Sequence, residues 1–409
     1  MPDNHWCDDP QYFNDLRRMK RVQLHKGRDI SIQRQHPWIF SRAVKIIEPI
    51  EEGDRVIVSD HRGIDRCQGH YHDSSIMLRI LTEDINLDVQ AYWDDTIGRA
   101  IHLRDSLGFP NDKTDAYRLI NGEGDHASGL IVDVYGDTAV IQCHTYAMHR
   151  ELDHITSSIK RYGEGVINYI YTKPIRTLKE RYENVVTGYL GGEGPAVVKF
   201  REHGILYESN LEIAQKTGFF LDQRDNRELI GSLSEGKTVM NNYCYTGGFS
   251  LCALQGGATK VSSVDISIKA IEQLEVLLDL NDCNDDRHES VVADVKKYLA
   301  TDDPEMYDIV ITDPPAFAKS LKKRHSAVQA YKRMNAMAMQ HVKPGGMLFA
   351  FSCSQVVGRQ LFYDTLVAAA MESGRSVQVI YQLDQGPDHA INIFHTEGHY
   401  LKGLGMVVS

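Results

Sequence analysis

No stretch of about 18 apolar residues occurs anywhere in the sequence, so no membrane-spanning helix is expected. No C-x-x-C pair occurs among the seven cysteines, and their number is odd. Neither a disulfide framework nor a zinc site is therefore suggested, and no metal is expected. Internal repeats and low-complexity segments are also missing. Positive charge is in deficit: the formal net charge is −11. That argues against a protein that coats nucleic acid without specificity, while leaving room for local basic patches. The first residues, Met1-Pro-Asp-Asn-His-Trp-Cys-Asp-Asp9, are acidic and lack an apolar signal core. These absences set the expectation of a cytoplasmic protein with no membrane partner. The hydrophobic share of 42% and charged share of 25% are those of an ordinary soluble globular chain. A length of 409 residues suggests roughly two to three domains.

Composition along the chain divides it four ways. Residues 1–20 read as a flexible lead running into a basic cluster, Arg17, Arg18, Lys20, Arg21, Lys26 and Arg28. This is either a solvated tail or a phosphate contact. Residues 21–85 carry short β-like runs at 21–24, 54–59, 69–72 and 76–81, punctuated by Gly53-Asp54 and Arg62-Gly63, and suggest a small β-domain. His36-Pro-Trp-Ile-Phe-Ser41 reads as a connection between strands. Residues 86–203 read as an α+β domain: a helix over 87–108, a hairpin of 130–135 and 138–144 turning at Gly136-Asp137, a helix over 146–162 and a strand over 166–171. From 204 to 409 strands are expected at 238–243, 260–265, 289–293, 307–312, 346–352, 377–382 and 403–408. The first five alternate with helices, which predicts a doubly wound parallel sheet. The last two lack a crossover helix between them and suit an antiparallel, hairpin-like end to that sheet.

In such a sheet the carboxyl ends of the strands form one rim where ligands sit. Four of those ends carry chemistry. Tyr245-Thr-Gly-Gly-Phe249 lets backbone approach a ligand at a helix N-terminus. Asp265 lies 18 positions beyond Gly247, at the next strand end, where a carboxylate commonly accepts ribose hydroxyls. The turn lacks the G-x-G-x-x-G form used for a pyrophosphate. A nucleoside without phosphates, such as S-adenosylmethionine, is therefore favoured over NAD. Asp294 stands where it could meet an adenine amino group or simply cap a helix. Asp313-Pro-Pro-Ala-Phe317 aims a carboxylate across the rim, because prolines after a buried strand delay the next helix. Its Asp313 can accept from the exocyclic amine of a base, and Phe317 can stack on that base.

Cys353 differs from Cys143, Cys244 and Cys252, which read as small core hydrophobes. It is flanked by Ser352 and Ser354 at the end of the strand after that of Asp313. A thiol at the rim could attack carbon 6 of a pyrimidine and make carbon 5 nucleophilic, given a base or a depressed thiol pKa. Lys319, Lys322, Lys323 and Arg324 follow Asp313 and, with Lys332 and Arg333, form a basic strip. The strip is either a solvated helix face or an RNA contact.

At these residues the chain resembles the RlmI-like family of RNA methyltransferases. The resemblance rests on Gln215-Lys-Thr-Gly-Phe-Phe-Leu-Asp-Gln-Arg224, Tyr245-Thr-Gly-Gly-Phe249, Asp313-Pro-Pro-Ala-Phe-Ala-Lys319, Ser352-Cys-Ser354 and Gly398-His-Tyr-Leu-Lys402, in that order. It covers nearly the whole chain from about Val22. It implies a PUA-like RNA-binding domain, a central α+β domain and a C-terminal class I, Rossmann-like, S-adenosylmethionine-dependent domain. The implied activity is methylation of carbon 5 of a cytosine in large-subunit ribosomal RNA. The implied roles are Tyr245, Thr246, Gly247, Gly248, Phe249, Asp265 and Asp294 on the cofactor, with Gln223 and Arg224 near its methionine end. Asp313 would hold and activate the cytosine, and Cys353 would be the nucleophile. Asp125-His-Ala-Ser-Gly129 departs from the family's leucine-proline before the glycine. The second cysteine of another cytosine methyltransferase group is absent, so a residue other than cysteine must remove the carbon-5 proton.

Two rivals stand beside this reading. An exocyclic-amine methyltransferase would need Asp313-Pro-Pro but not Cys353. A non-catalytic PUA-type ribosome-assembly factor would need neither. RNA is the expected partner, and a homodimer is left open.

Overall fold

The computed structural model describes residues 19–409. Most of the expected lead, with Arg17 and Arg18, lies outside the described residues. The chain forms two compact units. One holds the described residues up to Val198 together with Ser209–Phe219 and Pro387–Gly398. The other holds Lys199–Glu208, Phe220–Gly386 and His399–Ser409.

The first unit begins with strands β1 (Lys20–Leu24), β2 (Trp38–Phe40), β3 (Val44–Ile46), β4 (Arg55–Ser59), β5 (Asp65–Tyr71) and β6 (Ile76–Thr82), in the order β2-β6-β5-β4-β1-β3. Val22, Leu24, Ile39, Val56, Val58 and Leu78 form its core. The stretch expected as a connection contains β2, where Ile39 opposes Leu78 and enters that core. Three residues carry too little alternation to reveal a strand in the sequence. In the basic cluster Lys20 pairs with Asp54 at 2.8 Å and Arg21 with Asp65 at 3.4 Å, while Lys26 and Arg28 are exposed.

A second sheet of the same unit contains β7 (Ala116–Asn121), β8 (Leu130–Tyr135), β9 (Thr138–Cys143), β10 (Tyr169–Thr172) and β11 (Gly188–Tyr189), ordered β11-β10-β9-β8-β7. Trp93, Ile97, Ile155 and Ile159 share a core with Val132, Val134 and Ile141 of the sheet. The single helix expected over 146–162 is two, Tyr146–Arg150 and Leu152–Tyr162. Glu151 separates them, and its carboxylate turns inward to meet His70 Nε2 at 2.6 Å and the Trp93 indole N–H. Buried Arg104 donates to Asp125 (Nη2–Oδ2 2.9 Å) and to the carbonyl of Asp388. That contact ties the returning segment Pro387–Gly398 to this unit.

The border expected at 203/204 falls on the turn of a hairpin, β12 (Val197–Glu202) and β13 (Ile205–Asn210). His203 (φ 50°) and Gly204 (φ 83°) are both left-handed, as tight hairpin turns require. The glycine marks the turn of that hairpin.

The second unit is built on β14 (Thr238–Asn242), β15 (Lys260–Asp265), β16 (His288–Val292), β17 (Tyr307–Thr312), β18 (Val342–Ser352), β19 (Val377–Leu383) and β20 (Lys402–Val408). Their order is β16-β15-β14-β17-β18-β20-β19. The first five are parallel, and β20 is antiparallel to both neighbours. The central strands are buried on both faces, as in Ile309–Val310–Ile311 and Leu348–Phe349–Ala350–Phe351. That is why they read as unbroken apolar runs. The expected antiparallel pair is present, but β20 lies inside the sheet rather than at its edge. Strand order reverses at β14, so the crevice of the fold opens beside its carboxyl end.

Arg227 clamps the entry to this unit with two 2.6 Å contacts to Glu202 and a 2.9 Å bond to the Phe220 carbonyl. Both side chains of the pair are buried. Arg227→Met leaves Glu202 without its cation and should cost about 3–5 kcal/mol. Urea unfolding measures this loss, and adding Glu202→Gln should recover part of it.

Candidate active site

The turn after β14 is made by left-handed backbone at Tyr243 (φ 58°), Tyr245 (φ 49°) and Gly247 (φ 77°). The left-handed backbone at Gly247 favours glycine, and a Cβ there would stand 2.0 Å from Leu274 Cδ1, which would have to move. Gly247 opens the helix Gly248–Gln255. The Tyr245 N–H donates to Asp265 Oδ2 at 3.0 Å, and the Ser267 N–H donates to Oδ1 at 2.8 Å. The carboxylate at the end of β15 is thus held by two backbone donors. Thr246 is partly open, whereas Gly248 and Phe249 are buried. The Phe249 ring stacks on Phe351 with centroids 5.6 Å apart.

Asp294 does cap a helix: its Oδ1 accepts from the N–H groups of Lys296 (3.0 Å) and Lys297 (3.2 Å). It also lines a cavity of about 200 Å³ with Tyr243, Ile266, Val295, Lys296 and Phe317. The Phe317 ring packs 4.6 Å from that of Tyr331, and the Lys296 ammonium lies 5.2 Å over it.

Asp313, past the end of β17, accepts from Gln223 Nε2 at 3.0 Å. Gln223 is itself oriented by Asn226, whose Nδ2 donates to Gln223 Oε1 at 2.7 Å and to the Asp384 carbonyl at 3.0 Å. Burial, and then the charge of Asp222, push the Asp313 carboxyl up to about 7, against the pull of the Gln223 bond.

Cys353, just beyond β18, is the one cysteine among the described residues that is not buried. Burial of its thiol, then the charges of Asp313 and Asp222, raise it to about 11, while Lys402 acts in the opposite sense. Lys402 opens β20 opposite Ser352. Its buried ammonium donates to the carbonyls of Ser354 and Tyr400, each at 2.8 Å. Desolvation lowers it to about 8, and the Cys353 charge opposes that fall. Ser354 Oγ donates to the Ala318 carbonyl at 2.9 Å, which fastens the loop after Asp313 to the turn that carries Cys353.

Gln223, Asp313 and Cys353 thus come together, and Asp265, Asp294 and the glycine turn form the adjoining group. Arg224 is buried and paired with Asp225 Oδ1 at 3.2 Å. Lys319, Lys322, Lys323 and Arg324 are all exposed, at a short turn that leads into the helix Arg324–Gln340. Lys332, further along, is paired with Glu372. Asp222, Asn226, Tyr400 and Lys402 belong to the site although the residue-by-residue reading gave them no role. Three of them lie inside or beside the strings Gln215–Arg224 and Gly398–Lys402, which was the available signal.

Residues 171–393 match the family model described as S-adenosylmethionine-dependent methyltransferase, and residues 22–83 match a PUA-like domain. A ribosomal RNA large subunit methyltransferase I from Shewanella amazonensis is 36% identical over 94% of this chain and 98% of its own. The protein of the same name from Escherichia coli O139:H28 is 35% identical over the same shares. The chain belongs to this family of methyltransferases. Its cofactor is S-adenosylmethionine. Among solved structures, a candidate SAM-dependent methyltransferase from Streptococcus mutans superposes with a TM-score of 0.81 at 23% identity, covering 95% of this chain and 100% of that one. A candidate methyltransferase solved with SAH gives 0.82 at the same identity and coverage. These two share the fold. Among the described residues of the methyltransferase, no helix is long and apolar enough to cross a membrane.

The raised Asp313 has a stability signature. Its native carboxyl is pushed above the unfolded value, so its contribution is fully present below about pH 4 and is lost as pH rises to about 7. Asp313→Asn removes the ionisation. The variant should gain on wild type progressively between those limits, by at most about 4 kcal/mol given partial solvent access, and then level off. Thermal unfolding as a function of pH reads this directly.

Proposed function

We propose that this methyltransferase forms 5-methylcytosine in large-subunit ribosomal RNA, with Cys353 as nucleophile and Asp313 as the group that holds and activates the base. The observation that carries the reading is the thiol itself. It is the one open cysteine among those described, it follows the strand next to that of Asp313, and the charges of Asp313 and Lys402 act on it.

The residues fit the cofactor. Asp265, fixed by two backbone donors, suits a ribose diol. The small cavity beside it combines the apolar walls of Ile266 and Phe317 with Asp294, as an adenine with an exocyclic amine requires. On this reading Phe317 faces the adenine rather than the target base. Thr246 and Gly248 border the turn, while Gln223 and Arg224 fix the wall towards the methionine end. When bound, S-adenosylmethionine supplies an electrophilic methyl group.

The target cytosine leaves its stack and enters between Asp313 and Cys353. A carboxyl that titrates near neutrality can hand a proton to N3 as sulfur adds to carbon 6, and take it back later. Protonated Asp313 also removes a negative charge from beside the thiol, which makes the thiolate easier to form. Lys319, Lys322, Lys323 and Arg324 offer the RNA backbone four cations within six positions in an otherwise acidic chain.

Cys353→Ala should abolish 5-methylcytosine while leaving cofactor affinity nearly unchanged. Nucleoside mass spectrometry on unmodified large-subunit rRNA and calorimetric titration of S-adenosylmethionine make that comparison. A methylated exocyclic amine that persists in the variant would replace this chemistry with the rival one. Triple replacement of Lys322, Lys323 and Arg324 by Ala should weaken RNA binding. It should also flatten the dependence of log K on log salt by about 2–3.

A further inference from the structure

We infer that Asp222 is the base that removes the carbon-5 proton, with Tyr400 as its positioning residue; this rests on the cytosine-5 reading above. Asp222 lies in the short turn Leu221–Gln223, next to the residue that binds Asp313. Its Oδ2 accepts from the Tyr400 hydroxyl at 2.7 Å. Its Oδ1 is buried and has no hydrogen-bond partner. Leaving a buried carboxylate oxygen unpartnered is costly, and a role in catalysis is one reason a native protein keeps such an oxygen. The charge of Asp222 is felt by both Asp313 and Cys353, so the carboxylate lies close to the two groups between which the base must enter.

The other groups around that space are committed. Gln223 and the base occupy Asp313, the Lys402 ammonium is bound to two carbonyls, and the remaining described cysteines are buried. The Tyr331 hydroxyl is also unpartnered, but burial raises it far above its ordinary value, so it stays protonated and is no base. The electron count closes with Asp222. The Cys353 thiol loses its proton to solvent and its sulfur bonds carbon 6. The carbon 5–carbon 6 π pair then bonds the methyl carbon, and the S–CH3 pair stays on the departing thioether. Asp222 Oδ1 takes the carbon-5 proton. The C–H pair restores the double bond, the C–S pair leaves with Cys353 as thiolate, and N3 returns its proton to Asp313.

The step makes an outcome specific to release. The probe is unmodified large-subunit rRNA transcribed with [5-³H]cytidine, incubated with S-adenosylmethionine. Wild type should release tritium in step with methylation, and Cys353→Ala should release none. Absence of tritium release from a wild type that methylates the RNA would sink the cytosine-5 reading itself. Asp222→Asn should still transfer one methyl group but release tritium at least ~100-fold more slowly. A denaturation-resistant protein–RNA adduct that carries the tritium and the transferred methyl group should accumulate, and it should be absent when Cys353→Ala is added to Asp222→Asn. Tritium release at the wild-type rate would overturn the assignment. So would a cofactor-binding Asp222→Asn that forms neither adduct nor product, since the residue would then act before methyl transfer. Tyr400→Phe supplies the second arm should Asp222→Asn not fold: it should accumulate the same adduct, and unchanged release without adduct would overturn the pairing.

Discussion

The buried ammonium of Lys402 is the contact on which the half of the site holding Asp313 and Cys353 depends. Removing an ammonium from water is expensive, and two carbonyl hydrogen bonds offset that cost here. One of those carbonyls belongs to Ser354, whose hydroxyl reaches Ala318 in the loop after Asp313. The other belongs to Tyr400, whose hydroxyl reaches Asp222. One cation therefore fixes the turn that carries the thiol, the loop that carries the buried acid and the turn that carries the second acid.

The electrostatics of the site follow from that arrangement. Burial raises both the Asp313 carboxyl and the Cys353 thiol, the charge of Asp222 raises both further, and Lys402 opposes the rise at the thiol. Asp313 responds by titrating near neutrality and Cys353 by staying protonated until its surroundings change. Environments that push neighbouring groups apart in this way divide acid from base roles. The glycine-turn side of the rim is built differently. There backbone N–H groups fix Asp265, and an apolar cavity adjoins it, which suits a ligand that must be bound rather than transformed.

Much of this was legible in the sequence because the carboxyl ends of parallel strands are punctuated by residues with one conformational meaning. Gly247 takes the left-handed backbone of the turn, Asp265 is at its expected strand end, and Cys353 follows the strand next to that of Asp313. The seven strands of the second unit were expected close to where they lie, and the inward position of β20 was not, since strand order is a long-range property. The β2 strand was too short to show alternation, and the glycine of the β12–β13 turn read as the start of a new segment. Asp222 was hidden for another reason. Its partner Tyr400 is 178 positions away, and nothing local distinguishes a carboxylate with one idle oxygen from a solvated one.

The position of β20 also bears on how the protein comes into being. A chain made from its N-terminus exposes the edge of β18 until residues 402–408 have emerged, because β20 is the strand that covers it. The nascent sheet therefore carries an open, apolar edge late in synthesis, a state prone to wrong pairing. Lys402 arrives with the strand that closes this edge. Closure of the sheet and completion of the charge pattern around Cys353 are one event, so a thiol on an unfinished chain sits beside two acids with no cation to favour its ionised form.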